Sequence, residues 1–515
     1  MKPKHSLPSW ISQRAAGSLL HLSSLPGSYG IGNLGSGARS FVDFLASSGI
    51  RFWQTCPVGP TGYGDSPYQV FSSFAGNPYF IDWDPLIRIG LIREDELSSL
   101  AELPSHEVDY GRLYEEFFSC AKLAFSRFSN AKNELEALYG KLESFLQEND
   151  SWLTSYACFQ VLKGREEGKP WWKWSDDSKN ADSRIGDEMS DEPEFTFHVF
   201  LQYLFWGQWK SLRSYANGKN VSLLGDLPIY AAPDSSEVWQ RPDLFQVASD
   251  SAFSHVAGVP PDYFNENGQY WGNPLYDWER HEAERFSWWM DRLAVQLKLF
   301  DVVRIDHFRG FHDYWSISTK TNDARMGAWR NGPGMKFWEV ARKRFPNLPF
   351  LAEDLGLISE EVRDLRRMAG LPGMAVLQFA FDGDAQNLYL PHNLEKDLVL
   401  YTGTHDNDTT VGWYESAGEE VRGNFRSYLN VGGSAPSWDM LRLAYRSVAP
   451  LVVAPIQDLL GLGSVARLNE PGFAMGNWKW RLTRDQLDRL EGESASYLAE
   501  QAKITGRLAI SSEMD

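Results

Sequence analysis

The chain has 515 residues, of which 43% are apolar and 23% charged, as is usual for a globular protein that buries a large core. Its formal net charge of −18 argues against nucleic acid or an anionic membrane as the main partner, because either would require a basic face. The acidic surplus does not indicate a cationic substrate, since it is an ordinary property of a solvated surface.

Aromatic residues are numerous, with 21 Trp and 21 Tyr. Flat apolar faces with a polar edge suit sugar rings, so we expect a few Trp to contact carbohydrate while many others fill the core. Three widely spaced cysteines, Cys56, Cys120 and Cys158, predict neither a disulfide framework nor a zinc site and fit a reducing compartment. Because no signal peptide and no apolar run of membrane-spanning length is recognised, a cytoplasmic enzyme is expected.

Short apolar runs that end in Gly, Pro, Asp or Asn recur along the chain, with helical stretches between them. In chain order the candidate strands are Ser18–Leu20, Phe52–Pro57, Val221–Leu224, Val302–Ile305, Phe350–Ala352, Ala375–Gln378, Val399–Tyr401 and Leu451–Ala454. Each run alone is weak evidence for a strand, because periodicity cannot distinguish a short buried strand from a buried helix segment. Together they predict an α/β fold, a (β/α)8 TIM barrel, in which residues 1–515 form one catalytic domain.

Two long connections interrupt this alternation. Residues 94–212, after the second candidate strand, are rich in Glu, Lys, Leu and Ala, and Glu134–Leu146 has helical spacing, which predicts a mainly helical insertion. Residues 228–278, after the third, are rich in Pro, Gly, Asn and aromatics, which predicts an irregular insertion. Within it, Gly258–Pro274 is a candidate loop over the active site; the alternative is a rigid surface loop with Trp271 packed inward.

Three candidate strands are followed by acids, at the position where a barrel carries its catalytic groups. One is followed directly by Asp306, the next by Glu353, and a later one, after a short stretch, by Asp406. Glycosidic cleavage requires two carboxyl groups on opposite sides of the bond, and these acids would supply them. Arg304 shares a strand face with Asp306 and would keep it ionised. Taken singly, each acid could instead cap a helix or form a structural ion pair.

At these residues the chain resembles the α-amylase clan and, within it, the amylomaltase (disproportionating enzyme) family. Arg304–His307 is similar to the clan's nucleophile region, Glu353 to its acid/base region, and His405–Asn407 to the region of its third acid. Gly225–Tyr230 resembles the first region, near the third strand. In amylases this region often ends in Asn-His. The segment here does not, and in this respect it is similar to the amylomaltases.

Six further segments resemble amylomaltases and extend the likeness over almost the whole chain. They are Leu20–Pro26, Pro60–Gln69, Ala75–Phe80, Gly258–Phe264, Tyr270–Leu275 and Arg467–Gly472. The resemblance implies that sugar is bound by Tyr68, Asp226, Asp262, Trp271, Asn273, Arg304, His307, His405 and Asn469. For Asp226 it leaves open whether the residue binds a sugar or orients the site. It also implies a helical insertion and no C-terminal β-sandwich.

The activity implied by the resemblance is that of a 4-α-glucanotransferase working by a retaining double displacement. Asp306 would be the nucleophile, Glu353 the acid/base, and Asp406 the group that stabilises the transition state. The expected substrates are maltooligosaccharides and starch- or glycogen-derived α-1,4-glucans, with glucose as an acceptor, and no cofactor or metal is expected.

Two alternatives stay open at this point. One is an α-glucan hydrolase on the same scaffold. The other is a catalytically silent glucan-binding protein, against which the presence of all three acids argues. The resemblance also extends to plant enzymes kept in plastids, so a plastid is the expected location in a plant or alga.

Overall fold

A computed structural model describes residues 7–62, 64–180, 185–248, 251–261, 266–473 and 475–508. The strands are β1 (Ala15–Leu19), β2 (Phe52–Gln54), β3 (Ser222–Leu227), β4 (His255–Val259), β5 (Gln269–Pro274), β6 (Val302–Ile305), β7 (Asp313–Ser318), β8 (Ala328–Asn331), β9 (Phe350–Ala352), β10 (Gly373–Val376), β11 (Leu398–Tyr401) and β12 (Leu451–Pro455).

The α-helices lie mostly between the strands. They are α1 (Ser36–Ser47), α2 (Asp84–Arg88), α3 (Ser98–Ala101), α4 (Tyr110–Ser126), α5 (Lys132–Tyr139), α6 (Leu142–Arg165), α7 (Asp176–Lys179), α8 (Ile185–Met189), α9 (Pro193–Gly218), α10 (Ser236–Gln240), α11 (Trp278–Ala283), α12 (Ser287–Leu299), α13 (Met335–Arg344), α14 (Glu360–Ala369), α15 (Thr410–Ser416), α16 (Glu419–Leu429), α17 (Pro436–Arg446), α18 (Ile456–Leu460), α19 (Arg484–Arg489) and α20 (Ala495–Ile504). Within the described ranges, none of them combines the length and the apolar character needed to cross a bilayer.

Eight parallel strands form a nearly closed barrel in the order β10-β11-β12-β1-β2-β3-β6-β9. Each overlaps one of the eight candidate strands, so the predicted TIM barrel is confirmed. β9 and β10 close the ring without a regular ladder: the Ala352 amide donates to the Pro372 carbonyl at 3.0 Å, and the Met374 amide donates to Asp354 at 2.8 Å. Asp354 also forms an ion pair with Arg366 at 2.9 Å, so this acid after a barrel strand has a structural role.

β3 extends further than its candidate strand. It continues through Gly225, Asp226 and Leu227, which pair with Val303, Arg304 and Ile305 of β6 in sequence order. A polar pair inside two buried strands is stable here because Asp226 and Arg304 lie side by side and neutralise each other. This pair underlies the candidate site described below.

A second sheet, antiparallel and in the order β5-β4-β7-β8, stands beside the barrel. β4 and β5 lie within residues 228–278, which the sequence analysis predicts to be irregular. Gly258 allows these strands to approach closely, because a Cβ there would lie 2.2 Å from the Gln269 carbonyl oxygen. The register shifts between Val256 and Gly258, and such irregularity removes the alternation that marks a strand in sequence.

The chain between β2 and β3 is mainly helical, and its last helix, α9, is hydrogen-bonded to the loop that follows β2. Two buried glutamines on α9 each bind one residue of the loop after β2 through both amide atoms. Gln202 accepts from the Gly76 amide at 2.8 Å and donates to its carbonyl at 2.8 Å. Gln208 does the same with Asp82, at 2.7 and 2.9 Å. The boundaries of the predicted insertions, 94–212 and 228–278, stay predictions.

Arg507 binds the backbone at the N-terminal ends of two barrel strands. Its guanidinium donates to the carbonyls of Ala15 at 3.0 Å, Pro450 at 3.2 Å, Tyr445 at 3.0 Å and Ala449 at 2.9 Å. Ala15 begins β1 and Pro450 precedes β12, so one side chain holds two neighbouring strands. Burial lowers the pKa of Arg507 to about 9.

Replacing Arg507 should destabilise the barrel strongly. We expect Arg507→Met to reduce the free energy of unfolding by about 3 kcal/mol or more, because several buried carbonyls lose a charged donor. Urea denaturation followed by circular dichroism measures this, with Lys503→Met, an exposed substitution on the same segment, as the control. Equal urea midpoints for the two variants would contradict the role given to Arg507.

Candidate active site

The loops that follow the barrel strands surround an open cavity of about 930 Å³ at the C-terminal end of the barrel. Its wall includes Asp306 after β6, Glu353 after β9, and Asp406 after β11. A cleft of this size suits an oligosaccharide, and this end of the barrel is where the fold carries its active sites. The structure therefore brings together all three acids selected from the sequence.

Asp306 is held by a buried guanidinium. The Arg304 Nη1 atom lies 3.0 Å from Asp306 Oδ1 and 2.7 and 2.8 Å from the two oxygens of Asp226. The Tyr68 hydroxyl also donates to Asp226, at 2.8 Å. Burial raises the pKa of Asp306 to about 6, and the charge of Arg304 opposes the rise. Arg304 thus orients the Asp306 carboxylate and favours its ionised form.

Glu353 accepts two backbone hydrogen bonds. The amide of His307 donates to Oε2 at 2.8 Å, and the amide of Leu355 donates to Oε1 at 2.9 Å. His307 adopts a left-handed backbone with φ of 50°, a conformation that costs energy for a residue other than glycine. Burial raises the pKa of Glu353 to about 7, with Arg304 opposing and Asp306 adding to the rise. Glu353 can therefore hold a proton near neutral pH.

Asp406 has the opposite electrostatic environment. Asn469 Nδ2 donates to Oδ1 at 2.6 Å, and His405 Nε2 lies 3.2 Å from Oδ2. Burial alone would raise the pKa of Asp406, but the charge of His405 and these hydrogen bonds outweigh it and lower the pKa to about 2. In return, Asp406 raises the pKa of His405 against the effect of burial. Asp406 is thus ionised across the range in which Glu353 titrates.

These environments separate the pKa values of carboxyl groups that share one cavity. Glu353 can donate a proton while Asp406 stays charged, and Asp306 is aligned by a cation. A proton donor, an aligned carboxylate and a permanent negative charge are the groups needed to cleave a glycosidic bond through a cation-like transition state. Among the described residues, no group of three or more His, Cys, Asp or Glu is arranged to hold a metal ion.

Two of the predicted sugar-contacting aromatics line the cavity. Tyr68 stacks on His405, with ring centroids 5.3 Å apart, and its hydroxyl lies 2.8 Å from His405 Nε2. Trp271 meets the ring of His307 edge-on at 4.9 Å, and its Nε1 donates to Gln269 at 3.0 Å. Trp271 lies on β5, is half-buried, and both lines the cavity and packs against the main hydrophobic core.

Three other predicted residues are not free side chains on the cavity wall: one is buried beneath it, one has its amide bound within the protein, and one is not described. Asp226 is only 1% exposed and sits beneath the wall, bound to Arg304. Asn273 reaches the wall, but its amide donates to the Ala231 carbonyl at 2.9 Å and accepts from Gln69 at 3.1 Å. Asp262 lies outside the described residues.

The cavity also contains residues that the sequence analysis did not select. Gln378 is the last residue of a candidate strand, so the strand-end argument used for the acids could have found it; its amide donates to the Asp408 carbonyl at 2.9 Å. Arg467 begins a segment that resembles amylomaltases, and it donates to the Asp406 carbonyl at 2.8 Å. Trp329 lies on β8, a strand that the sequence does not predict, and no pattern in the sequence indicates that this residue lines the cavity.

Comparison with known proteins agrees with the geometry. A family model described as 4-alpha-glucanotransferase matches residues 20–487. The 4-alpha-glucanotransferase of Thermus thermophilus is 45% identical over 499 residues, covering 95% of this chain and 98% of that protein. The chloroplastic/amyloplastic 4-alpha-glucanotransferase of Solanum tuberosum is 38% identical over 506 residues, covering 96% of this chain and 87% of that protein.

A solved structure also matches over almost the whole chain. The amylomaltase of Streptococcus agalactiae in complex with acarbose has a TM-score of 0.91 and 35% identity, covering 96% of this chain and 100% of that chain. The resemblance inferred from the sequence motifs is confirmed, and the hydrolase alternative is not favoured. This chain belongs to the 4-alpha-glucanotransferase (amylomaltase) family.

Proposed function

We propose that this 4-alpha-glucanotransferase moves a segment of an α-1,4-glucan to the 4-hydroxyl of glucose or of another α-1,4-glucan, by a retaining double displacement. The observation that carries the mechanism is the pairing of Glu353, whose pKa burial raises to about 7, with Asp306, which Arg304 contacts at 3.0 Å. One carboxyl group is suited to hold a proton and the other to attack, inside one cavity.

In the first half-reaction Glu353 donates its proton to the glycosidic oxygen. Asp306 attacks the anomeric carbon, the bond between that carbon and the oxygen breaks, and a covalent glucosyl-enzyme forms. The leaving chain departs with the proton as a new 4-hydroxyl. Arg304 keeps Asp306 ionised and aimed, and Asp226, enclosed beneath the wall, orients Arg304 rather than binding sugar.

The second half-reaction reverses these movements with a different chain. An acceptor 4-hydroxyl attacks the anomeric carbon, Glu353 takes its proton, and Asp306 leaves as a carboxylate. One α-1,4 bond replaces another, so the cycle requires no energy source. Asp406, ionised and held by Asn469 and His405, stabilises the positive charge that develops in both transition states.

Sugar binding and exclusion of water are assigned to the rest of the wall. Tyr68, Trp271, His307 and His405 would contact the glucose rings, and Asp262 would also bind sugar. Residues 258–274 would cover the cleft and limit access of water to the intermediate. The cytoplasm, or a plastid in a plant or alga, stays the predicted location. The three cysteines are buried and unpaired, which supports a reducing compartment.

Pure maltotriose, without phosphate or nucleotide, tests the activity directly. A transferase should yield glucose together with a ladder of longer maltooligosaccharides, while the number of reducing ends stays constant, because each transfer makes one bond for each bond that it breaks. Chromatography alongside a reducing-end assay measures both quantities. Steadily rising reducing ends would identify a hydrolase instead, and no products at all would contradict the proposal.

Substitution of the two central acids should separate their roles. With maltotriose, Asp306→Asn should reduce kcat by at least about 10⁴-fold and Glu353→Gln by about 10²–10⁴-fold. With α-maltotriosyl fluoride, whose leaving group requires no proton, Glu353→Gln should release fluoride within about tenfold of the wild-type kcat/KM, whereas Asp306→Asn should stay inactive. Exposed Glu361→Gln is the control. Equal losses of the two acid variants on the fluoride would contradict the assignment.

The pH dependence follows from the same pair. For maltotriose, kcat/KM should form a narrow bell, falling as Asp306 gains a proton below about pH 6 and as Glu353 loses its proton above about pH 7. The limbs belong to the interacting pair rather than to single groups. With α-maltotriosyl fluoride the alkaline limb should disappear, because the leaving group needs no acid. Initial rates across the pH range measure this, and an unchanged alkaline limb would exclude Glu353 as the acid.

A further inference from the structure

One part of the cavity wall is formed by a stacked pair of side chains, Arg309 and Trp329. The guanidinium carbon of Arg309 lies 3.8 Å from the centroid of the Trp329 ring. Both residues line the same cavity as Asp306 and Glu353, yet Trp329 keeps 38% of its surface exposed. A flat apolar ring, backed by a cation and open toward a cavity of oligosaccharide size, is a surface on which a glucose ring can stack.

The neighbours of this pair hold it in one orientation. Asp313 accepts from Arg309 Nε at 2.7 Å and from Nη2 at 3.1 Å, a two-point contact that fixes the plane of the guanidinium. Trp315 of β7 is the register partner of Trp329 and meets it edge-on at 5.1 Å. Trp315 is itself fixed, because its Nε1 donates to the Ala324 carbonyl at 2.8 Å. A ring held in advance loses little freedom when a ligand binds.

The pair adjoins the loop of the acid/base. Arg309 Nη1 donates to the Leu357 carbonyl, in the loop that follows Glu353. The Phe308 amide donates to the Glu353 carbonyl at 3.0 Å, and the His307 amide to its carboxylate at 2.8 Å. Successive contacts thus join the turn after β6 to the Glu353 loop. The stacked pair therefore stands on Glu353's side of the cavity.

The chemistry indicates which sugar lies there. Glu353 protonates the glycosidic oxygen, so the ring beyond that oxygen, which departs, lies on the Glu353 side. The ring that forms the covalent intermediate lies near Tyr68, His405, Asp406 and Asn469, which are linked by hydrogen bonds or ion pairs on another wall. The hydrogen bonds and ring contacts of the Arg309–Trp329 pair are instead with Asp313, Leu357 and Trp315. The pair is therefore assigned to the departing side.

We propose that Trp329, backed by Arg309, binds a glucose ring of the leaving chain in the first half-reaction and of the acceptor in the second. This inference rests on the proposed double displacement. Because departing and incoming chains use the same site, Trp329 determines how well the enzyme discriminates among acceptors. The ligand class is an α-1,4-linked glucose unit, held by stacking rather than by charge.

The test uses a donor that cannot occupy this site. In α-maltotriosyl fluoride with hydrogen in place of the terminal 4-hydroxyl, the leaving group is not a sugar, and the donor cannot act as an acceptor. Glucose and maltotriose are then varied as acceptors with the wild type, Trp329→Ala and Trp329→Tyr. Tyr428→Ala is the control, since Tyr428 is exposed to a similar degree, 37%, and does not line the cavity.

We expect Trp329→Ala to raise the KM for an acceptor by about three- to tenfold, which corresponds to the loss of one aromatic contact. The kcat/KM for the fluoride donor should change by less than about twofold, because that step leaves the site empty. Trp329→Tyr should recover most of the acceptor affinity, and Tyr428→Ala should behave as the wild type. If the KM rises for maltotriose alone, Trp329 contacts the second ring of the acceptor, counted from the new bond. If the KM rises for both acceptors, Trp329 contacts the first ring. Either result supports the proposal.

Other results would overturn it. An unchanged acceptor KM in a Trp329→Ala enzyme with native circular dichroism would show that the ring does not bind sugar. Equal losses for donor and acceptor, not recovered in Trp329→Tyr, would show a structural role for Trp329. Failure of the wild type to couple the fluoride donor to either acceptor would instead overturn the proposed double displacement, and this inference with it.

Discussion

The site depends on a single buried cation. Arg304 is 3% exposed and lies between Asp226 on the neighbouring strand and Asp306 at the end of its own strand. An unpaired guanidinium at this depth would be very costly, and so would either carboxylate without it. The strand register that places Asp226 beside Arg304 therefore also fixes the position of Asp306. Stability of the barrel and alignment of the proposed nucleophile come from the same ion pair.

The groups around this cation differ in their environment rather than in their chemistry. Glu353 accepts from two backbone amides, and burial raises its pKa, whereas Asp406 has a histidine and an amide side chain within hydrogen-bonding distance. Similar carboxyl groups consequently differ widely in their affinity for a proton. The left-handed backbone at His307 contributes by directing an amide at Glu353, so strain is present where the proposed proton transfer occurs.

Much of this architecture could be predicted from the sequence. Barrel strands such as Phe350–Ala352 are buried on both faces and read as continuous apolar runs, and an acid directly after such a run stands out. The second sheet could not be predicted in this way. β8 is exposed at every position, and β4 contains a glycine and a register shift, so neither strand shows alternation. For that reason the sequence does not indicate Trp329 as a cavity residue. It does indicate that Arg304 lies beside Asp306, but not that Asp226 forms an ion pair with Arg304.

The order of the strands has a consequence for how the protein is made. β1 pairs with β12, and Ser18 donates to the Ala454 carbonyl across 436 residues of chain. A ribosome makes β12 only after the whole chain between the two strands, so the ring stays open throughout that interval. Until then β1 exposes unpaired backbone groups along one edge, which is a template for association with other nascent chains. Synthesis of β12 thus ends the period in which this edge of the growing chain is open to aggregation.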